Sequence, residues 1–87
     1  MPGIARVGVD TAGGVILGGG NSTVYINGAL AAVIGDAIAY HDYYPHDAPV
    51  MVGGSNNVFI NSIGVCRAGD AASCGHTATG SSDAFAN

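Results

Sequence analysis

The chain has no lysine, glutamate or glutamine, and two arginines are its only cationic residues besides three histidines. Because the missing residues are those that usually cover exposed helix faces, and because the chain has 15 glycines, long helices are disfavoured. Six aspartates give a net charge of -4, which leaves no basic surface for nucleic acid or an anionic membrane. Short runs of Val, Ile, Tyr and Phe between Gly, Asn and Ser instead predict many short strands.

Long apolar segments are also missing. The most apolar run, residues 29–34, is far shorter than the ~20 residues that a membrane span needs, and the amino-terminal residues show no secretory signal. We therefore expect synthesis in the cytoplasm, with delivery by a dedicated machine if the protein acts elsewhere. The 87 residues correspond to one domain, 1–87, and a core of that size often needs a metal ion, a disulfide or a partner subunit.

The sequence does contain a repeat. The segment GNSTVYINGALAAVIGD (20–36) matches GSNNVFINSIGVCRAGD (54–70) at six of 17 positions, including the closing Gly-Asp. A shorter copy, GSSDAFAN (80–87), stops at the repeated asparagine, and GIAR (3–6) resumes the pattern after the same spacing. The third repeat is thus split between the two ends of the chain, which predicts that these ends are neighbours.

Repeats of this kind stack or form a ring, because none of them can bury its apolar face alone. Three repeats, one completed by both ends, predict a compact all-β body with pseudo-threefold symmetry. Phe85 is expected to be a core aromatic, equivalent to Tyr25 and Phe59. The variable segments after each repeated aspartate should gather at one end, and we name them the first insertion (11–19), the second insertion (37–53) and the third insertion (71–79).

All three histidines and one cysteine lie in two of these insertions. The first ligand of each pair follows Asp36 or Asp70 by five and four residues, so the pairs leave equivalent places in successive repeats and should converge. Three histidines and one cysteine complete a tetrahedral set for Zn²⁺, and iron also accepts such ligands. The predicted ligands are His41 and His46 in the second insertion and Cys74 and His76 in the third.

Two other uses of these residues are disfavoured. A disulfide between Cys66 and Cys74 is disfavoured by a reducing compartment, and Cys66 is interpreted as a buried, inert thiol. A catalytic zinc keeps an open position beside three protein ligands, whereas four ligands fill the shell. Asp42 and Asp47 are better suited to orienting the histidines or facing water. No catalytic residue is predicted.

The arginines occupy one position of the repeat. Arg6 and Arg67 each end a four-residue segment, GIAR or GVCR, which we call the tetrapeptide, and an aspartate follows within four residues. An Arg–Asp pair is therefore the hypothesis for these two repeats, and solvated surface charge is the alternative. In the middle repeat the tetrapeptide is LAAV, so Val33 removes the arginine and the pair.

Three stretches carry a family resemblance. GIARVG, LAAVIGD and GVCRAGD resemble degenerate copies of the Pro-Ala-Ala-Arg signature followed by Gly-Asp, and VYIN and VFIN resemble the strands that precede it. The sequence is similar to PAAR-repeat proteins over nearly its whole length, although no copy has the full signature. The resemblance implies a small conical, or pyramidal, pseudo-threefold β-domain whose tip is clamped by a metal ion bound to His and Cys side chains.

The resemblance also implies a function. Such a chain is the tip of the central spike of a type VI secretion system or a contractile phage tail, one copy sitting on each trimeric spike protein (VgrG-like or a phage central spike). It sharpens the spike for piercing an envelope, contacts the target membrane transiently, and is delivered outside the cell or into the target. The resemblance implies that the chain is not an enzyme and that, without a fused toxin domain, it would carry effectors as separate proteins.

Some properties are left open by the sequence. They include the trimer-binding residues, the choice between secretion system and phage or pyocin-like tail, the effector cargo and the target membrane. The alternative function, from a different class, is a small zinc-dependent hydrolase or a stand-alone metal-binding module.

Overall fold

The computed structural model describes residues 2–39 and 49–87, and within these ranges every helix or strand element is a short β-strand. The predicted all-β fold is therefore confirmed. These ranges contain no helix that is long and apolar enough to cross a membrane. In chain order the strands are β1 (Thr11–Ala12), β2 (Gly14–Gly18), β3 (Tyr25–Ile26), β4 (Ala29–Leu30), β5 (Ala37–Ile38), β6 (Phe59–Ile60) and β7 (Ile63–Gly64).

Two tight hairpins contain the repeated aromatic strands. β3 pairs antiparallel with β4, and β6 pairs antiparallel with β7. Both residues of each connecting turn have positive φ, beginning with Asn27 (52°) and Asn61 (51°). Two-residue turns of this kind follow the twist of the strands that they join, and asparagine adopts them more readily than most residues. The repeated asparagine is thus a turn residue. The pairs of opposing residues next to the aromatics are Tyr25–Leu30 and Phe59–Gly64.

Residues from the two ends of the chain build a third copy of this pairing. Phe85 forms an antiparallel bridge with Gly3, at the position equivalent to the two hairpin pairs. The predicted split repeat is therefore confirmed. Two backbone hydrogen bonds flank the bridge, from Ile4 N–H to the Ala84 carbonyl at 2.8 Å and from Ala86 N–H to the Pro2 carbonyl at 3.0 Å.

A closed ring of three backbone hydrogen bonds joins the repeats at the centre. It is made by Ala5, Ala32 and Cys66, the third residue of each tetrapeptide, and all three are fully buried. Each N–H donates to the carbonyl of the next member at 2.9 Å, so that Ala5 bonds to Cys66, Cys66 to Ala32, and Ala32 to Ala5. A pseudo-threefold axis produces such a cycle of equal bonds, and the small side chains let the three backbones approach one another.

Each repeat opens with a buried side chain that caps its own turn. The side-chain oxygens of Asn21, Ser55 and Ser81 accept hydrogen bonds from the backbone N–H groups two and three residues later, at 2.9–3.1 Å. Short polar side chains stabilise turns in this way. The same local chemistry therefore begins all three repeats, although the residue changes from asparagine to serine.

The repeated aspartate closes each repeat. The carboxylates of Asp10, Asp36 and Asp70 accept the backbone N–H of the fourth tetrapeptide residue at 2.9, 2.9 and 2.7 Å. Glycine precedes two of them because the turn requires positive φ, 94° at Gly35 and 90° at Gly69. The Gly-Asp signature thus has a structural explanation.

The arginines pair with these aspartates as predicted. Arg6 Nε lies 2.7 Å from a carboxylate oxygen of Asp10, and Arg67 Nε lies 2.9 Å from one of Asp70. In the middle repeat, where Val33 replaces arginine, the second oxygen of the Asp36 carboxylate accepts the Gly20 N–H at 2.9 Å. The expected difference between the middle repeat and the other two is confirmed.

The aromatic residues of the repeats lie outside the core, so the expectation for Phe85 was wrong. Tyr25, Phe59 and Phe85 are 59, 55 and 47% exposed. Successive side chains of a strand point to opposite faces, and the following residue faces inward: Ile60 and Ala86 are buried and Ile26 is half-buried. Aliphatic residues fill the core, and its largest fully buried apolar side chains within the described ranges are Ile16, Met51, Val33 and Val65.

Candidate metal centre and docking surface

The three insertions contact one another, as predicted. β1 and β2 of the first insertion form a three-stranded antiparallel sheet with β5 of the second, in the order β1-β2-β5. Met51 in the second insertion forms a bridge with Ala72 in the third, and the Thr79 N–H donates to the Thr11 carbonyl at 2.9 Å. The end of the molecule formed by the insertions, which we call the insertion end, is therefore one connected structure.

The described parts of the second insertion lie beside the third. The Ile38 N–H donates to the Pro49 carbonyl at 2.9 Å, and Ala37 forms a bridge with Val50. The Val50 carbonyl in turn accepts the Ser73 N–H at 2.8 Å. The backbone on both sides of residues 40–48 is therefore held close together and next to the third insertion.

Two of the four predicted metal ligands lie on one turn. Cys74 is buried in the larger core cluster, and its Sγ lies 4.0 Å from the Ala12 carbonyl oxygen of the first insertion. His76 is exposed, and its carbonyl accepts the Ala72 N–H at 2.8 Å. Gly75 between them has φ of 96°, which allows the turn. The other two predicted ligands, His41 and His46, lie outside the described residues.

The described half of this set has the chemistry that zinc requires. A thiol and an imidazole lie two residues apart on a turn that contacts the second insertion, and both are common Zn²⁺ ligands. Residues 2–39 and 49–87 contain no group of three or more potential ligands, as follows when two predicted ligands fall outside these ranges. The four-ligand site stays a prediction.

Cys66 has the properties of an inert thiol, as interpreted from the sequence. It is fully buried, it forms no disulfide with Cys74, and its Sγ donates a hydrogen bond to the Gly53 carbonyl at 3.3 Å. Burial, with smaller contributions from the charges of Asp36 and Asp70, raises the pKa of the Cys66 thiol to about 12. A thiol that stays protonated is neither a metal ligand nor a nucleophile.

The repeated hairpins present a second candidate site that sequence reasoning missed. Tyr25, Phe59 and Phe85 occupy equivalent places in the three repeats and are all about half exposed. The preceding residues Val24 and Val58 are exposed as well. We call the surface that carries the three aromatic side chains the base. Period-two alternation places the aromatics on the face opposite Ile60 and Ala86, but it does not tell which of the two faces points inward.

The acidic residue Asp83 is bonded to the turn of the first hairpin. The Asp83 carboxylate accepts a hydrogen bond from the Asn27 side-chain amide at 2.7 Å and another from the Ser81 hydroxyl at 2.6 Å. The Ser81 bond, helped by Asn27, lowers the pKa of Asp83 below its ordinary value. The hydrogen bond to Asn27 also joins the turn of the first hairpin to the repeat built from both chain ends.

Comparison with known proteins agrees with the repeat pattern. No curated protein sequence matches the chain. A family model described as the PAAR motif matches residues 5–85, a span that includes the tetrapeptides LAAV and GVCR and all three insertions. Because this match covers nearly the whole chain, and because the three repeats share turns, bridges and a central ring, the chain belongs to the PAAR motif family.

Proposed function

We propose that the protein is the tip of the central spike of a contractile injection machine, and that its base binds the end of the trimeric spike protein as one copy per trimer. Membership of the PAAR motif family is consistent with this role, and it disfavours the hydrolase alternative because the family is structural rather than enzymatic. The observation that carries the proposal is the set of three equivalent exposed aromatics around a pseudo-threefold axis.

Symmetry is the first argument for a trimeric partner. A single chain offers identical surfaces to three subunits only if it repeats itself about an axis. Here the backbone partners of Tyr25, Phe59 and Phe85 are the first residues of the three tetrapeptides, and the central ring fixes the three repeats relative to one another. Each subunit of a threefold trimer would thus meet one aromatic side chain in the same local setting.

The chemistry of the base is the second argument. Exposed aromatic side chains that recur at equivalent positions of a small protein are candidates for an interaction site. Aromatic side chains bury 150–250 Å² each and dominate the energy of many interfaces. The base has three aromatics at equivalent positions, and the Asp83 carboxylate is bonded to the turn of the first hairpin. The partner surface would therefore be apolar and without negative charge opposite Asp83.

A spike tip also needs a rigid point, and we propose that a metal ion provides it at the insertion end. His41, His46, Cys74 and His76 would hold a structural Zn²⁺ ion, or iron in its place, and the ion would supply cross-linking between two insertions. Metal-binding free energy becomes folding free energy in such a site. Cys74 already lies in the core against the first insertion, so the ion would connect that turn to the second insertion.

The proposed mechanism is mechanical. The tip is made in the cytoplasm, is assembled on the spike, and is driven with it through a target envelope, with transient membrane contact and with attached effectors. The host machine is a secretion system or a phage-like tail.

The test combines the purified protein with candidate spike trimers and measures stoichiometry by native mass spectrometry and affinity by titration. Tyr25→Ala, Phe59→Ala and Phe85→Ala should each weaken binding about equally, by roughly ten- to thirtyfold, as central aromatics do. Tyr25→Phe should bind like the wild type, since the equivalent positions are phenylalanine.

The matched control is Leu17→Ala. Leu17 is 58% exposed, like Tyr25, but it belongs to β2 at the insertion end, so its loss should leave trimer affinity unchanged. Three tips per trimer, or a triple aromatic variant that binds normally, would refute docking through the base.

A further inference from the structure

The turn of the first hairpin carries an asparagine that is followed by glycine. Asn27 and Gly28 are exposed and have φ of 52° and 87°. Gly28 has no side chain to shield its peptide N–H, and a Cβ built there would meet no described atom within 4 Å. In the equivalent turn of the second hairpin, Asn61 is followed by Ser62. No other asparagine of the sequence precedes a glycine.

This pair of residues has the groups that deamidation needs. The peptide nitrogen of Gly28 attacks Cγ of Asn27 and loses its proton, the bond from Cγ to Nδ2 breaks, and the side-chain nitrogen leaves as ammonia. Water then opens the resulting succinimide ring at either carbonyl, which gives aspartate or isoaspartate. Glycine reaches the required backbone conformations readily, whereas a Cβ in the following residue hinders the attack. Asn61 is therefore the slower, matched site.

The structure gives Asn27 a partner that holds its side chain. The amide donates to the Asp83 carboxylate at 2.7 Å, and the two residues are 56 positions apart in the sequence. For the attack, the turn must open and the Asn27 side chain must rotate toward Gly28, so this bond must break first. The turn is exposed and joins strands of two residues each, and such elements open locally at small cost.

We infer that Asn27 is a site of spontaneous deamidation in the hairpin that carries Tyr25, and that Asp83 slows the reaction. The product replaces an amide donor by a carboxylate opposite Asp83. The bond that joins the first hairpin to the third repeat thus becomes a repulsion between two negative charges, and the base loosens as the protein ages. The effect on docking rests on the proposed function, whereas the reaction itself does not.

The first experiment incubates the purified protein at mildly alkaline pH and follows each asparagine by peptide mapping and mass spectrometry. Asn27 should convert several-fold faster than Asn61. Gly28→Ser copies the second hairpin and should slow Asn27 to the rate of Asn61, whereas Ser62→Gly should accelerate Asn61. Both variants suit the fold, because the two turns are equivalent and Ser62 has φ of 67°.

The second experiment tests the role of Asp83. Asp83→Ala should accelerate the reaction at Asn27 roughly three- to tenfold, as expected when local opening no longer breaks an exposed hydrogen bond. The rate at Asn61 in the same sample is the internal control and should not change.

The third experiment tests the repulsion. Asn27→Asp, which is the aspartate product, should lower the melting temperature by about 4–8 °C, the effect of one repulsion between exposed carboxylates in a domain of this size. Adding Asp83→Asn exchanges donor and acceptor and should restore the melting temperature. Asparagine suits this position because Asn57 occupies it in the second repeat.

Equal rates at Asn27 and Asn61, or a rate at Asn27 that Gly28→Ser does not change, would overturn the inference. An unchanged rate in Asp83→Ala would overturn the role of Asp83. For docking, protein that has deamidated at Asn27 should bind the trimer more weakly than fresh protein, and equal affinities would overturn this consequence. Fresh protein that binds no trimer would instead refute the proposed function and leave the deamidation site standing.

Discussion

In each repeat the aromatic strand of the base comes before the tetrapeptide and the insertion comes after it. The base and the insertion end are nevertheless built in different ways. At the base the three repeats use the same turn caps, the same aromatic position and the same pairing with the tetrapeptide. At the insertion end, each insertion has its own partners, such as the sheet β1-β2-β5 and the bridge between Met51 and Ala72. Repetition suits a symmetric partner, whereas unequal segments must be joined to one another by specific bonds.

The strongest test of this contrast is metal removal. The reference is wild-type protein with free metal at about 1,000 times Kd. If the proposed site is correct, removing the metal with a chelator or by Cys74→Ala should lower the free energy of unfolding by about 4 kcal/mol relative to that reference. Hydrogen exchange should accelerate in residues 49–53 and 71–79 and change little in the hairpins of the base. Equal acceleration in both regions would contradict the separation of the two halves.

A second test addresses the repeat that differs from the other two. Asp36 is 1% exposed, and its carboxylate accepts N–H groups from Val33 and Gly20. Asp36→Ala would leave these donors without their acceptor, which should cost about 2–3 kcal/mol. Chemical denaturation measures the loss.

Asp70→Ala is the matched control for this test. Asp70 is more exposed than Asp36, and it pairs with Arg67, which can be hydrated when its partner is removed. We therefore expect a smaller loss of stability than for Asp36→Ala. The reverse order would show that the Arg–Asp pairs stabilise the repeats more than the buried carboxylate does.

The smallest expected effect is a dependence on acid pH. Burial raises the pKa of Asp10, but hydrogen bonds from Arg6 and Thr79 outweigh it and hold this pKa below its ordinary value of 3.8. Because the folded state has the lower pKa, the contribution of Asp10 to stability is complete well above pH 3.8 and is lost as the pH falls through the lowered pKa.

Thermal melts between pH 2 and pH 6 measure this dependence, with Asp10→Asn as the control. The variant should be less stable than wild type at pH 6, and the difference should shrink as the pH falls. A constant difference across this range would assign the effect to something other than Asp10 ionisation.

Much of the repeat architecture could be predicted because it depends on local chemistry. Asparagine marks the hairpin turns, Gly-Asp closes a turn that needs positive φ, and the spacing around Asn87 and Gly3 revealed a repeat divided between the chain ends. The Arg–Asp pairs followed from residues only three or four positions apart. The metal ligands were assigned from matching positions in two insertions and stay a prediction.

The direction of the aromatic side chains could not be derived in the same way. Phe85 was expected in the core because large apolar residues are usually buried, yet a two-residue strand does not reveal which of its faces points inward. That choice depends on the centre of the molecule, where Ala5, Ala32 and Cys66 bring three backbones together and leave room for aliphatic side chains rather than three rings. The base became recognisable only once this packing was known.

The sequence by itself determined the three repeats, their turns and the pairing of Arg6 and Arg67, since each depends on conformations and contacts within a few residues. Only the tertiary structure decided that Tyr25, Phe59 and Phe85 face outward and that Ser73 meets Val50. Both features depend on how residues far apart in the chain pack together. That packing forms because three short repeats can bury their apolar sides only against one another.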